Sequence, residues 1–290
     1  MSAPSERPEG VHDRYVRVDG VRTHFLDAGD GPTVVLLHAG GFGENAWLSW
    51  RRNIEAFAER NRVIAPDWIG FGGTDKVRDF VRGNSAMLDH MARFLEVMDV
   101  TSADIVGLSM GGTFLVRDAA SDRPVLPART IVTASGGGFS PLNDARRMLQ
   151  DYDGTFEGMR RQLGVVFHDP AISADDEIVA MYHEASLEPG AWEFAASARL
   201  RSPQAPERSD FGNTDDTAYG RISIPVLTTA GAQDPLREPG YAEKITAAIA
   251  GAECKVFDDC GHCPNVEYAT EWNALVLDFL DRRRPEGSLS

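Results

Sequence analysis

The pentapeptide Gly107-Leu108-Ser109-Met110-Gly111 constrains this chain more than any other stretch, because of what flanks it. Asp104 to Gly107 is an apolar run that reads as a buried strand, and Gly111 to Ala120 reads as a helix. A serine between the two, with glycine two positions to either side, can be held on a sharp turn with its hydroxyl projecting from the end of a sheet. The rest of the chain supplies that sheet. Thr33 to His38, Arg62 to Asp67, Thr130 to Ala134, Pro225 to Ala230 and Glu253 to Phe257 are further short runs suited to strands buried on both faces. Helical spacing lies between them at Asn53 to Arg60, Ser85 to Val100, Tyr241 to Ala250 and Glu271 to Arg283. In the second of these Met87, Leu88, Met91, Phe94, Leu95 and Met98 share one stripe. Arg14 to Val18 and Arg22 to Leu26, joined by Asp19-Gly20, read as a leading hairpin. The expected class is α/β, a mostly parallel sheet flanked by helices.

From about Gly137 to Gly220 this rhythm stops. Helical pieces at Asp144 to Asp151, Phe156 to Phe167, Asp175 to Ser186 and Ala191 to Leu200 follow one another without a convincing strand, which reads as an inserted helical cap. The expected division is a core of residues 11–136 and 221–284 with a cap of residues 137–220. Met159, Leu163, Phe167, Met181, Trp192 and Phe194 in the cap pack on one another or roof a pocket. Ser209 to Thr217 reads as a solvated return loop, and Met1 to Gly10 and Arg284 to Ser290 as frayed ends. Lys and Arg total 29 against 44 Asp and Glu, a net charge of −15, so nucleic acid and anionic membrane surfaces are poor partners. No apolar run approaches the roughly 18 residues that cross a bilayer. The first ten residues lack an apolar signal segment, so a cytoplasmic location is expected.

The serine needs a base, an acid and an oxyanion site. His38-Ala39-Gly40-Gly41 directly follows a strand, where the amide of Gly40 can join that of Met110 as oxyanion donor. His38 itself reads as a structural residue that fixes this loop. Acid and histidine should follow the serine in that order, each at the end of a later strand. Asp234 follows Pro225 to Ala230, and His262, 28 residues on, follows Glu253 to Phe257. Only this one of the seven histidines lies beyond the last strand. Asp258 and Asp259 sit too near His262 to approach from a separate strand end, and Ser135-Gly136-Gly137-Gly138 offers no acid after Thr130 to Ala134.

From about Tyr15 to Leu280 the element order and these residues resemble the α/β-hydrolase family. Within it the chain is similar to the meta-cleavage-product hydrolases, which cleave carbon–carbon bonds, and to related esterases. The passages that carry the likeness are His38 to Gly43, Trp50-Arg51-Arg52-Asn53, Ser109-Met110-Gly111-Gly112, Glu184 to Pro189, and Gly261-His262-Cys263-Pro264. The resemblance implies an α/β-hydrolase fold with a helical cap over a Ser-His-Asp site. It also implies three departures. Leu108 stands where those enzymes usually have Asn, Cys263 where Trp often follows the histidine, and Tyr182, by the Glu-Ala-Ser register, where a cap arginine holds the dienoate. A site without those donors has little with which to grip a dienoate.

Cys260-Gly261-His262-Cys263 matches the tetrapeptide of protein disulfide isomerases, but it precedes Pro264 near the C-terminus instead of opening a helix after an early strand. No second cysteine pair supports zinc, and Gly70-Phe71-Gly72-Gly73 lacks the spacing of a nucleotide loop. The expectation is a serine hydrolase of a small-molecule ester or lactone, needing neither metal nor organic cofactor, with Ser109, Asp234 and His262 as triad. Gly41, Phe42, Trp47, Leu108, Phe167, Tyr182, Trp192 and Cys263 are expected to line a pocket for a hydrophobic or aromatic portion. Carbon–carbon bond hydrolysis and a non-catalytic ligand receptor are the alternatives, and the oligomeric state, a homo-oligomer included, stays open.

Overall fold

The computed structural model describes residues 7–197, 200, 212 and 214–284. One sheet contains β1 (Val11–Val18), β2 (Val21–Ala28), β3 (Thr33–Leu37), β4 (Arg62–Pro66), β5 (Ala103–Leu108), β6 (Ala128–Ala134), β7 (Val226–Gly231) and β8 (Glu253–Phe257). Their order is β1-β2-β4-β3-β5-β6-β7-β8. The pairs β1/β2 and β2/β4 are antiparallel, and every other neighbouring pair is parallel. The hairpin runs further than its apolar alternation indicated, because β1 is mostly exposed and is held by its backbone ladder to β2.

Helices α1 (Ala46–Trp50) and α2 (Ile54–Ala58) follow β3, α3 (Asn84–Val97) follows β4 and α4 (Met110–Ala119) follows β5. Between β6 and β7 come α5 (Asp144–Gln150), α6 (Phe156–Val166), α7 (Pro170–Ala174), α8 (Asp176–Ser186) and α9 (Ala191–Ser197). Helix α10 (Tyr241–Ala248) joins β7 to β8, and α11 (Pro264–Glu267) and α12 (Ala269–Arg283) close the chain. Positions 198 and 199 of the expected Ala191 to Leu200 helix, part of Ser209 to Thr217, and the ends before residue 7 and after 284 lie outside the described residues.

Period-2 alternation sorts the central strands between two cores. Val34 and Leu36 of β3, Val106 and Leu108 of β5, and Val132 and Ala134 of β6 join one core with Trp50, Phe57, Trp272 and Phe279. Val35 and Leu37, Ile105, and Ile131 join the other with Met91, Phe94, Leu115 and Ile245. Helices therefore cover both faces, which is why these strands read as continuous apolar runs. Met159, Leu163, Phe167, Val179 and Tyr182 from α6 to α8 belong to the first core, so most apolar residues of the inserted helices pack inward.

Strand order reverses at β3, whose chain continues to β4 on one side while β5 lies on the other. The crevice beyond the carboxyl ends of β3 and β5 is where open α/β sheets bind ligands. Both His38 to Gly41 and Ser109 begin there. Among the described residues no helix is long and apolar enough to cross a membrane.

A Cβ at Gly111 would overlap the Leu37 carbonyl oxygen and come within 2.9 Å of that of His38, whereas at Gly220 the nearest atom is 3.6 Å away. Gly111→Ala is expected to lose about 1–3 kcal/mol or more of unfolding free energy, and Gly220→Ala little, in denaturant titrations. Equal midpoints would show that α4 does not need to dock this closely on β3.

Candidate active site

Ser109 occupies the turn between β5 and α4 with φ 50° and ψ −105°, a left-handed conformation that a non-glycine residue rarely adopts. The turn closes because its neighbours are glycines. A Cβ at Gly107 would overlap the Gly112 amide, and one at Gly112 would come within 2.6 Å of the Gly107 carbonyl oxygen. Ser109 N–H donates to Ala134 O at 2.8 Å, and Ser109 O accepts from both the amide and the hydroxyl of Thr113 at 2.8 Å.

The Ser109 hydroxyl donates to His262 Nε2 at 2.7 Å, and His262 Nδ1–H donates to Asp234 Oδ2 at 2.6 Å. Asp234 and His262 are buried, while Ser109 keeps part of its surface accessible. Burial would raise the Asp234 carboxyl, but the charge and hydrogen bond of His262, with Arg237 behind, hold it below the usual carboxylate range. Its other oxygen accepts Leu236 N–H at 2.8 Å. Asp258 and Asp259 are exposed. A histidine oriented by an ionised acid and bonded to a serine can accept the serine proton, so the line can generate a nucleophile.

Gly40 faces the start of α4, since a Cβ there would stand 2.8 Å from Met110 Sδ. Met110 is the first residue of α4, so its amide has no acceptor within the helix. His38 is fully buried and joins the loop to the core: Trp68 N–H donates to its Nε2 at 3.0 Å, which leaves Nδ1–H to donate to Ala39 O at 2.6 Å. Burial pushes its pKa down, as suits a neutral structural imidazole.

The expected pocket residues divide. Leu108, Tyr182, Cys263 and Phe167 are buried in the core that carries Phe42, and Phe42 meets Tyr152 with ring centroids 5.0 Å apart. Trp47 packs on the same core beside Phe42, and one expectation, Trp192, meets it least. Trp192 stays 41% exposed and approaches only through Phe42 at 6.3 Å, and Trp47 holds the Arg7 guanidinium over its ring at 4.5 Å. Trp192 is the second residue of the short helix α9, where the phase of one turn decides which face is covered. Gly70 to Gly73 wraps a structural centre: Gly73 N–H donates to Asp67 Oδ2 at 2.7 Å, and the ring of Phe194 covers Gly70.

Cys260 and Cys263 are both buried, and burial raises both thiols well above their ordinary range, which suppresses the thiolate that exchange chemistry requires. Among the described residues no group of three or more His, Cys, Asp or Glu side chains is placed to hold a metal ion.

Sequence reasoning missed the residues that fix the loops. Glu267 Oε1 accepts Gly261 N–H at 2.8 Å, and Oε2 accepts the amides of His168 and Asp169 at 2.8 and 2.9 Å. His262 N–H donates to Val166 O at 2.8 Å, so the histidine loop is bonded to the end of α6. On the acid side Arg237 donates to Ser135 O at 2.8 and 3.1 Å. The one sequence signal for Glu267 is a carboxylate five residues beyond His262.

Residues 32–268 match the family described as alpha/beta hydrolase fold, and the chain belongs to that family of hydrolases. It is 30% identical to a 2-hydroxymuconate semialdehyde hydrolase of Pseudomonas sp. strain CF600, over 97% of each chain. It is 29% identical to a 2-hydroxy-6-oxo-2,4-heptadienoate hydrolase of Pseudomonas putida, over 92% of this chain and 95% of the other. A solved meta-cleavage product hydrolase from Pseudomonas fluorescens superposes with a TM-score of 0.82 at 25% identity, covering 93% of this chain and 98% of that one.

Glu267→Ala would leave three amides without their acceptor. It is expected to cost about 2 kcal/mol or more of unfolding free energy, and Glu267→Gln, which keeps one acceptor, less. Chemical denaturation of the two variants beside the parent measures this, and an unchanged Glu267→Ala would mean that water replaces the carboxylate freely.

Proposed function

We propose that this member of the α/β-hydrolase family is a serine hydrolase that opens a carboxylic ester or lactone of a small substrate with a hydrophobic or aromatic portion. The observation that carries this reading is the hydrogen-bonded line Ser109, His262, Asp234, with its 2.7 and 2.6 Å contacts at the strand-order reversal. His262 takes the Ser109 proton as Oγ bonds to the acyl carbon, and the carbonyl electron pair moves onto oxygen between the amides of Gly40 and Met110. Collapse expels the alcohol oxygen, which takes the proton from His262. Water then repeats both steps on the acyl-enzyme, releasing the acid and restoring Ser109. Asp234 keeps the imidazole in the tautomer that accepts at Nε2.

Residues 137–220 serve as a cap on a core of 11–136 and 221–284. Support for an ester over a dienoate comes from the neutral side chains at Leu108, Tyr182 and Cys263. The cap arginines near enough in sequence to compensate are engaged elsewhere: Arg160 with Asp176 and Ser173 O at 2.5 and 2.8 Å, and Arg161 with Asp153 at 2.8 Å. Carbon–carbon hydrolysis of a vinylogous diketone is the second reading, favoured by the names of the relatives, and it uses the same triad with carbon as leaving group.

A fluorophosphonate probe is expected to label Ser109 and to lose its target in Ser109→Ala. His262→Ala should lower turnover of an activated ester roughly 10³-fold or more. Binding without turnover would leave a receptor. Aryl or alkyl esters should exceed 2-hydroxy-6-oxo-dienoates in kcat/KM by about a hundredfold, since each missing charged partner costs roughly ten- to 150-fold. Faster loss of the dienoate's visible absorbance would put the second reading first.

A further inference from the structure

Glu44 is a carboxyl that the proposed acyl transfer does not use. It lies between Gly43, where a Cβ would meet the Ser186 amide at 2.5 Å, and Asn45, whose side chain caps α1. Its Oε2 accepts from Ser49 Oγ at 2.9 Å, and the same Oγ accepts Ala39 N–H at 3.2 Å, one residue before Gly40. Its Cγ is 3.2 Å from where a Cβ of Gly41 would stand. Tyr182 of α8 and Cys263 beside His262 are near enough to feel its charge: burial foremost, and the Glu44 carboxylate after it, push the ionisation of both up. Glu44 therefore stands where the Gly40 loop, α8 and the His262 loop converge.

Tyr182, Cys263, Ser49 and Gly43 around it are buried, but Glu44 keeps accessible surface, as do Gly40, Gly41, Phe42, Ser109 and Met110. Glu44 thus lies directly behind exposed Gly41, one residue past the Gly40 amide, at the edge of the loop beside which Ser109 is accessible. No Lys or Arg among the described residues forms an ion pair with it; its partners are the Ser49 hydroxyl and the Asn45 backbone. Burial outweighs those two hydrogen bonds and pushes its pKa up to about 7. A carboxyl balanced in this way has much to gain from a donor brought by a ligand and much to lose from a second anion.

We propose that Glu44 sets the charge preference of the substrate pocket, pairing with a cationic group on the acyl portion of the substrate and rejecting a carboxylate there. This rests on the serine-hydrolase reading of the site. The other ionisable groups about Glu44 are Tyr182 on α8, His262 and Cys263 on the histidine loop with Glu267 beyond, and Arg51 and Arg52 at the end of α1, whose charges reach Tyr182. Tyr182 and Cys263 are pushed up by burial and stay neutral across neutral pH, whereas Glu44 is raised into that range.

The test compares 4-nitrophenyl esters of 4-trimethylammoniobutyrate, butyrate and succinate on the parent enzyme and Glu44→Gln. The parent should rank them cation, neutral, anion by kcat/KM. The cation-to-anion ratio should fall at least about tenfold in Glu44→Gln. In the parent the cation-to-neutral ratio should rise several-fold from pH 6 to 8 as Glu44 ionises, and in Glu44→Gln it should stay flat, because both substrates pass through the same triad. Protection of Ser109 from a fluorophosphonate by butyltrimethylammonium against pentanoate reads the same preference without turnover. A charge ratio unchanged by Glu44→Gln in both measurements overturns the proposal. Loss of probe labelling in the parent would overturn the serine-hydrolase reading instead, and the charge preference with it.

Discussion

The left-handed turn at Ser109 is the constraint to which the surrounding structure is fitted. A non-glycine residue held there costs on the order of 1–3 kcal/mol, so packing and hydrogen bonds must over-determine it. They do so on both sides. Ser135, at the end of the next strand, adopts φ 51° as well, donates its amide to Thr229 O at 2.9 Å, and has its carbonyl held by Arg237 at 2.8 Å. A Cβ on Gly136 would come within 2.6 Å of the Gly112 Cα, so the two strand ends nest glycine backbone against glycine backbone, with Gly137 N–H donating to Thr113 Oγ1 at 3.0 Å. A rigid backbone on each flank is what allows a single hydroxyl to be aimed to within hydrogen-bond tolerance of an imidazole that comes from a different strand end.

The inserted helices take part in that rigidity. Val166 at the end of α6 holds the His262 amide, and Glu267 binds the histidine loop and the α6–α7 junction at once. On the acid side Asn143 Nδ2 donates to Pro235 O at 2.7 Å and Arg146 to Leu236 O at 3.1 Å, so the start of α5 is bonded to the loop that presents Asp234. The buried pair Asn53 and Asn265, with Asn53 Nδ2 donating to Asn265 O at 2.9 Å, fixes the segment after His262 to the turn between α1 and α2. Base and acid are thus each gripped from the sheet and from the helices above it, and a movement of α5 or α6 as a block would be felt at both.

How much of this was legible follows from the range of the forces involved. The central strands announce themselves because burial on both faces demands unbroken apolar runs, and the long helices α3 and α12 carry enough turns for a stripe to show. That Ser109, His262 and Asp234 meet in one hydrogen-bonded line was legible from their order and strand-end positions. Short α1, α7 and α11 were not, since five residues or fewer give no period, and the equally short α2 showed only within the longer run Asn53 to Arg60; α1 is set by the Asn45 cap and by Ala46 N–H donating to Asp67 at 2.7 Å, contacts that only the folded chain makes. The same holds for Glu44, Glu267 and Arg237, charged residues whose sequence surroundings look like ordinary surface. Their roles come from partners far away in the chain, as with Glu267 and His168, 99 residues apart.

The chain shares the frame of its fold with a meta-cleavage product hydrolase, at a TM-score of 0.82, and 30% identity over almost the whole length with a semialdehyde hydrolase. That frame specifies where a carbonyl can be attacked; it does not specify what the carbonyl is attached to. Selection falls to the few side chains facing the cleft, and there a low dielectric makes one unpaired charge outweigh many apolar contacts. Neutral groups at Leu108, Tyr182 and Cys263 alone would leave a pocket indifferent to charge. A carboxyl among them does not, because an anionic substrate would have to bring a second negative charge beside it or force it to take up a proton. On the proposal made for Glu44, the sign of the cleft is set by a residue outside the triad, at the root of the loop that carries Gly40.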